Sequence, residues 1–341
     1  MHQLHQLIRK VNRTHKGLGQ LVAINLLAAK AKKCILNISP AGCGKSTATD
    51  IVYHMLRDRT MRFTSMTLAG LKNISGELTG FGGHIIIDDL GAEKTQWSRT
   101  ATVTVLANLV HTGYVYKITQ GYTLEITNFQ GSAAINIQPV LMQQQVVEAD
   151  WVAVVRDKVL RYYHLIRPKK PKHSLPAVSI DWGASIDNVQ LRMYRGRLWY
   201  QLVAIGLTQW SYARCEEHLP DLLKAAAALD GRSKVNRTDY NLLIKLLKPM
   251  TLERYIIKSY GFEAGRTFQN DLFCILVEIA SHGEPTVDVI CEDYKINPET
   301  VIRVAKENPV WVKLVEDKPM RVTPTDTCKH ILKIAGVNQK W

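Results

Sequence analysis

Two glycines, Gly42 and Gly44, precede Lys45, Ser46 and Thr47 in the stretch CILNISPAGCGKST at 34–47. Glycines at this spacing let a backbone turn its N–H groups inward around a phosphate chain. A following lysine reaches the β- and γ-phosphates of a nucleoside triphosphate, and the next hydroxyl, Ser46, suits Mg²⁺. Cys43 reads as a small filler, although a thiol there is also open to oxidation. Gly42, Cys43, Gly44, Lys45, Ser46 and Thr47 together form the expected nucleotide-contacting set. Such a cradle needs a strand leading in and a helix leading out. The apolar run from Cys34 to Ile38 supplies the first, and the alanine-and-apolar pattern from Ala48 supplies the second. That is the order of a P-loop. One position departs from G-x-x-x-x-G-K-[ST]: Ser39 stands at the first glycine, which shapes the entry to the loop and not the phosphate contact.

Roughly forty residues on, His84-Ile85-Ile86-Ile87 ends in Asp88-Asp89. A buried parallel strand reads this way, with acids emerging at its carboxyl end. The expectation is that this strand lies beside the strand of the loop. Asp88 would then hold Mg²⁺ through water, and Asp89 would orient and polarise the attacking water. Alone, an Asp pair after a strand also reads as a turn or helix cap. Downstream of a phosphate loop, the catalytic reading takes precedence.

The order SPAGCGKST, IIIDDLGAEKT and GSAAINIQP resembles the core of an AAA+ ATPase over roughly residues 15–170. The IDDLGAE string is most similar to bacterial helicase loaders and transposase-helper ATPases. The resemblance implies an α/β fold: a parallel-sheet core around the P-loop, a helical lid, and binding of ATP with Mg²⁺ between subunits of a ring or filament. It also implies that Asn136, embedded in the apolar run Ala133 to Ile137, lies between the two motifs and helps position the water. Without the family, Asn136 would be a turn residue closing a strand. An arginine near the fifth core strand would reach a neighbouring subunit's ATP, and Arg156 is taken for it. Lys158 stands where the family carries arginine, and Arg161 is the other alternative. A lid arginine pointing to the γ-phosphate would be Arg232 or Arg237, though either also reads as an ordinary surface arginine.

Residues 1–33 read as helical, as do 48–59, 96–112 and much of 190–250. A second strand is expected around Met61 to Thr67 and a fifth from Leu160 to Ile166, while 69–83 reads as a glycine-rich loop. Tyr114 to Thr119 and Tyr122 to Thr127 alternate around Gln120-Gly121 as a β-hairpin, facing a ring pore or completing the sheet edge. PKKPK at 168–172 is a basic, proline-rich exit. Three units are expected: an ATPase core at 1–175, a helical lid with connecting helices at 176–264, and a last unit at 265–341.

The last unit resembles a winged helix. Residues 270–283 read as a first helix, 286–294 as a second, and Asn297-Pro298-Glu299 opens a third with N-cap, N1 proline and an acid in its first turn. Trp311 to Val315 and Met320 to Thr323 alternate around a wing-like turn. In a helix-turn-helix the later helix enters the major groove. The expected DNA contacts are Thr300, Arg303 and Lys306 on that helix and Lys318 and Arg321 on the wing; such modules also dock proteins.

The net charge of +14 and pI near 9.5 favour an anionic partner, nucleic acid first. Six scattered cysteines without a C-x-x-C pair speak against a disulfide framework or zinc site and for a reducing compartment. No apolar run has the length of a membrane span, and the N-terminus lacks the apolar segment of a signal peptide, so a cytoplasmic or nucleoid location is expected. The reading is of an ATP-dependent, DNA-binding AAA+ ATPase in replication initiation or helicase loading, with a helicase or other protein as further partner. The alternatives are a transposition or DNA-processing helper, and a protein-remodelling machine whose winged helix docks clients.

Overall fold

The computed structural model describes residues 2–92, 95–119, 121–148, 151–168, 175–183, 185–191, 196–260 and 264–337. The chain starts with two helices, α1 (Gln3–Thr14) and α2 (Gly19–Lys30), parted at Gly17, whose φ of +96° suits glycine. Asn12 Oδ1 accepts from the N–H of both Gly17 and Gly19, satisfying the backbone at the break. Strand β1 (Cys34–Ile38) runs into the glycine loop, and α3 (Lys45–Leu56) starts at Lys45, earlier than the expected Ala48. Strand β2 (Thr60–Phe63) stops before Thr67 because Thr67 caps a helix, accepting from the Gly70 N–H at 2.9 Å. The glycine-rich segment is therefore largely helical, as α4 (Leu68–Asn73) and α5 (Ser75–Leu78), and it buries Leu68, Leu71 and Leu78. The core continues through β3 (His84–Ile87), α6 (Gln96–Thr112), a hairpin of β4 (Val115–Thr119) and β5 (Tyr122–Ile126), β6 (Ser132–Ile137), α7 (Pro139–Gln145), α8 (Arg156–Lys158) and β7 (Val159–Tyr163).

Five strands form one parallel sheet in the order β2-β3-β6-β1-β7. Contrary to the expectation, the acid-bearing β3 does not lie beside β1; β6 separates them, and Asn136 falls between the two motifs. Every residue of β1, β3, β6 and β7 is buried, because both faces of the sheet are covered. Alternate residues serve two cores. Leu36, Ile38, Ile87 and Ile135 pack with α6 and the C-terminal helices, and Ile35, Ile86, Ala134 and Leu160 with α2 and α3. At the β7 edge, Gln209 covers the backbone of Arg161, accepting from its N–H at 3.0 Å and donating to its C=O at 2.6 Å. The β4–β5 hairpin is a separate two-stranded ribbon and does not complete the sheet edge; it buries Leu124 and Ile126 and exposes Tyr116 and Ile118.

The middle helices α9 (Arg197–Gly206), α10 (Tyr212–Leu229) and α11 (Arg237–Leu247) share their core with α1 and α2, on the face of the sheet that carries α3. After α12 (Glu253–Ile256) comes a hairpin not read from sequence, β8 (Ile257–Tyr260) and β9 (Ala264–Phe268). The last unit has α13 (Asn270–His282), α14 (Val287–Tyr294) and α15 (Pro298–Glu307), the antiparallel pair β10 (Val312–Val315) and β11 (Arg321–Pro324), and α16 (Asp326–Ile334). Asn297 caps α15 as expected, accepting from Glu299 N–H at 2.9 Å. Val287 N–H and Val322 N–H bond across to Met320 and Pro285, so the hairpin is tied to the start of α14. Among the described residues no helix is long and apolar enough to cross a membrane.

Candidate functional site

Parallel register brings the carboxyl ends of four strands to one edge: Ile38 stands level with Ile137 and Tyr163, and Ile87 with Ile135. The residues that follow these strands line a cleft of about 480 Å³: Ala41 to Thr47 after β1, Asp88 and Asp89 after β3, Gln138 after β6, and Arg167 and Pro168 after β7. Outside the carboxyl ends of a parallel sheet is where such folds bind ligands.

The loop's glycines are required by geometry. Gly42 and Gly44 have φ of +75° and +80°, and a Cβ on Gly44 would stand 2.8 Å from Leu18 Cδ2 and 3.0 Å from Pro168 Cγ. Cys43 is fully buried, and burial pushes its thiol up to about 11, so it is the filler and not a reactive thiolate. Ser46 is exposed at the start of α3 and Thr47 half-buried beside it. Lys45 is 9% exposed and folds back to donate to the carbonyls of Ser39 and Pro40, the latter at 2.9 Å. Burial lowers its ammonium to about 8. Beneath the loop, burial and then the Lys45 charge pull His164 down to about 4, leaving a neutral imidazole there.

An ammonium lowered by burial makes phosphate binding sensitive to pH. A phosphate chain beside the ammonium stabilises its charged form, so the bound state has the higher pKa. Affinity is then full below pH 8 and falls above it, because an uncharged lysine must take up a proton on binding. Relative to pH 7, the Kd for a nucleotide at pH 9 is expected to rise about tenfold. A Kd unchanged between those pH values would contradict a phosphate partner for Lys45.

Asp88 and Asp89 stand opposite the loop in different surroundings. Asp88 accepts from Arg62 Nε at 2.6 Å, and Arg62 also pairs with Asp50. Asp88 Oδ1 lies 3.3 Å from the Thr49 hydroxyl. Asp89 Oδ1 accepts from the Gly91 N–H at 2.8 Å. Asn136 is buried and does not line the cleft; it sits one step behind Asp88, donating to Thr49 Oγ1 at 3.2 Å. Asn37 donates to Asn136 Oδ1 at 3.0 Å and exchanges hydrogen bonds with Asn25 of α2 at 2.9 and 3.0 Å. This buried amide relay holds Asn136 in one orientation, since each member would otherwise be an unpaired polar group. Asn25 and Asn37 escaped sequence reading, although a lone polar residue in each of two apolar segments was the available signal.

Other expected residues are not brought to the cleft. Arg232 is committed to Asp230 and Asp239, the latter also paired with His2 of the N-terminal segment, and Arg237 is exposed at the start of α11. The cause is the docking of the middle helices on α2. Arg156 lies in α8, where its carbonyl accepts from Arg161, and Lys158 donates to Asn108 Oδ1 at 2.6 Å; neither lines the cleft of its own chain. Arg161 is fully buried and held by Glu253 through two bonds of 2.7 and 2.8 Å, with the Tyr163 hydroxyl on the same carboxylate. It cannot reach a neighbouring chain. Two polar cleft residues escaped sequence reading, Gln138 and Arg167. The signal for Arg167 was only its position at the head of the basic exit, most of which, 169–172, lies outside the described residues.

On the last unit, Thr300 is half-buried near the start of α15, with Arg303 one turn on and exposed Lys306 a further turn. Arg303 pairs with Glu307 at 3.2 Å, both more than half exposed. Lys318 is exposed in the β10–β11 turn, and Arg321 lies 3.4 Å from Asp317 and 3.9 Å from Glu284. Pairs this exposed contribute about 0–1 kcal/mol, so an incoming phosphate can displace their acids.

No protein-family model matches the chain, and a comparison with curated proteins finds no match.

Proposed function

We propose that this chain is an ATP hydrolase of the AAA+ type that assembles on DNA as a ring or filament, with replication initiation or helicase loading as its role. The observation that carries the reading is the cleft itself. A glycine loop with a buried lysine faces two carboxylates from a strand two places away, and the strand between them carries Asn136. The residues fit a Mg²⁺–nucleotide pair: Lys45 and Arg167 supply cations and the N-terminus of α3 supplies backbone N–H groups, while the Ser46 hydroxyl and, through water, the Asp88 carboxylate would hold the ion. Mg²⁺ would neutralise charge on the β- and γ-oxygens. Asp89 orients a water in line with the γ-phosphorus and accepts its proton, and ADP leaves as the bond to the γ-phosphorus breaks. Asn136 acts through Thr49 and Asp88, fixing the carboxylate that faces the phosphates.

The DNA-binding half of the proposal rests on the last unit, read as a winged helix, and on the charge of +14. Alanine at both Arg303 and Lys306 is expected to lower the salt slope of duplex binding by about two units, one for each phosphate no longer neutralised. Nucleotide affinity measured without DNA should be that of the parent. Duplex binding by the double variant with unchanged slope would place the DNA contact elsewhere, with the basic exit as the next candidate. ATPase activity stimulated by a protein and not by DNA would favour a client-docking machine.

A further inference from the structure

Arg167 borders the phosphate loop yet is held from behind by the last unit. Its N–H donates to Ser281 Oγ at 2.8 Å, its Nη1 lies 3.3 Å from Glu278 Oε1 and pairs with Asp293, and its guanidinium sits 5.7 Å from the centre of the Tyr294 ring. On the cleft side, Nη2 is 3.5 Å from where a Cβ on Gly42 would stand. Glu278 anchors this arrangement from α13. It is fully buried, and its Oε1 also accepts from the Tyr294 hydroxyl at 2.6 Å. Among the described residues its Oε2 makes no hydrogen bond, and His282 Nε2 lies 3.4 Å away on a half-exposed ring. Cys43 of the loop packs in the same core as α13 and faces Tyr294. One guanidinium therefore stands between a buried carboxylate and the place of a phosphate chain.

We infer that Arg167 is a latch: nucleotide phosphates take its guanidinium from Glu278 and Asp293, and α13 and α14 loosen from the loop in response. The inference rests on the nucleotide reading of the cleft. Arginine matches phosphate oxygens with two parallel donors, and a triphosphate presents more charge than the two carboxylates that hold Arg167 in the free chain. Once Arg167 turns, Glu278 is a buried anion without its cation, an arrangement that is costly until the helix shifts toward water. Two arrangements thus compete for one cation, and a ligand that favours one shifts the balance. Because α15 and the β10–β11 hairpin belong to the unit that moves, DNA affinity becomes coupled to nucleotide, and by linkage nucleotide affinity to DNA.

The test uses the full chain, calorimetric titration with ADP and a slowly hydrolysed ATP analogue, and hydrogen exchange over 270–282 and 287–294. In the parent, the analogue should speed exchange in both segments more than ADP does. Arg167→Ala should weaken the analogue by about tenfold to a hundredfold, more than it weakens ADP, and abolish the ligand-dependent change in exchange. Because that variant strands Glu278, the double variant Arg167→Ala/Glu278→Gln, which removes both charges, should give the same result. Glu278→Gln alone should tighten the analogue and raise exchange before any ligand is added. Parent-like affinity and exchange in both Arg167 variants would overturn the latch while leaving the P-loop reading intact. Failure of the parent itself to bind nucleotide would overturn both.

Discussion

Lys45→Ala is expected to weaken nucleotide binding by about a hundredfold or more, given the size of charge-assisted hydrogen bonds to phosphate oxygens. Among the described residues, Lys45 and Arg167 are the cations that line the cleft, and Lys45 lies at the base of the loop and the start of α3. Its present acceptors, the carbonyls of Ser39 and Pro40, belong to the loop and would be exchanged for phosphate oxygens in the proposed complex. A melt followed by circular dichroism separates loss of the site from loss of structure. Parent-like affinity in the folded variant would remove the phosphate role from this loop.

Asp89→Asn is expected to retain Mg·ATP binding and to lower turnover by about 10²–10⁴, the usual contribution of a positioned general base. The two acids are distinguished by their partners. Asp88 already meets Arg62 and Thr49, which suits a metal-side ligand held in place, whereas Asp89 is steadied by a backbone N–H. Asn is nearly isosteric and still accepts from Gly91, so the loop after β3 is preserved. If single-turnover assays instead show that Asp88→Asn keeps binding and loses the chemical step, the roles are exchanged. Near-normal turnover in both variants would exclude β3 from the site.

What can be read from the sequence is local. The entry strand, glycine loop and helix of 34–56 announce themselves through an apolar run, two glycines before Lys45 and helical spacing. The third helix of the last unit starts where Asn297 and Pro298 say it does. Fully buried strands such as HIII and SAAINI carry no alternation, so their existence is legible but their order is not; β6 lies between β1 and β3 by pairing that no local pattern encodes. The segment 69–83 reads as a loop because its glycines outweigh the signals of a Thr67 cap and of Leu68, Leu71 and Leu78, which the helices bury. Likeness to a lid points Arg232 and Arg237 at the γ-phosphate. The apolar faces of α10 and α11 instead meet α2, and Arg232 meets Asp230 and Asp239. Arg167 is invisible for the same reason, since its partners lie more than a hundred residues downstream.

The cleft at the carboxyl edge of the sheet is proposed to bind a nucleoside triphosphate with Mg²⁺. Calorimetric titration of the full chain with ATP, with and without Mg²⁺ at about pH 7.5, below the point at which Lys45 loses its charge, tests it most directly. One saturable site per chain is expected, strengthened by Mg²⁺ and weakened about a hundredfold or more in Lys45→Ala. Absence of binding at millimolar ATP, or binding indifferent to Lys45, would contradict it.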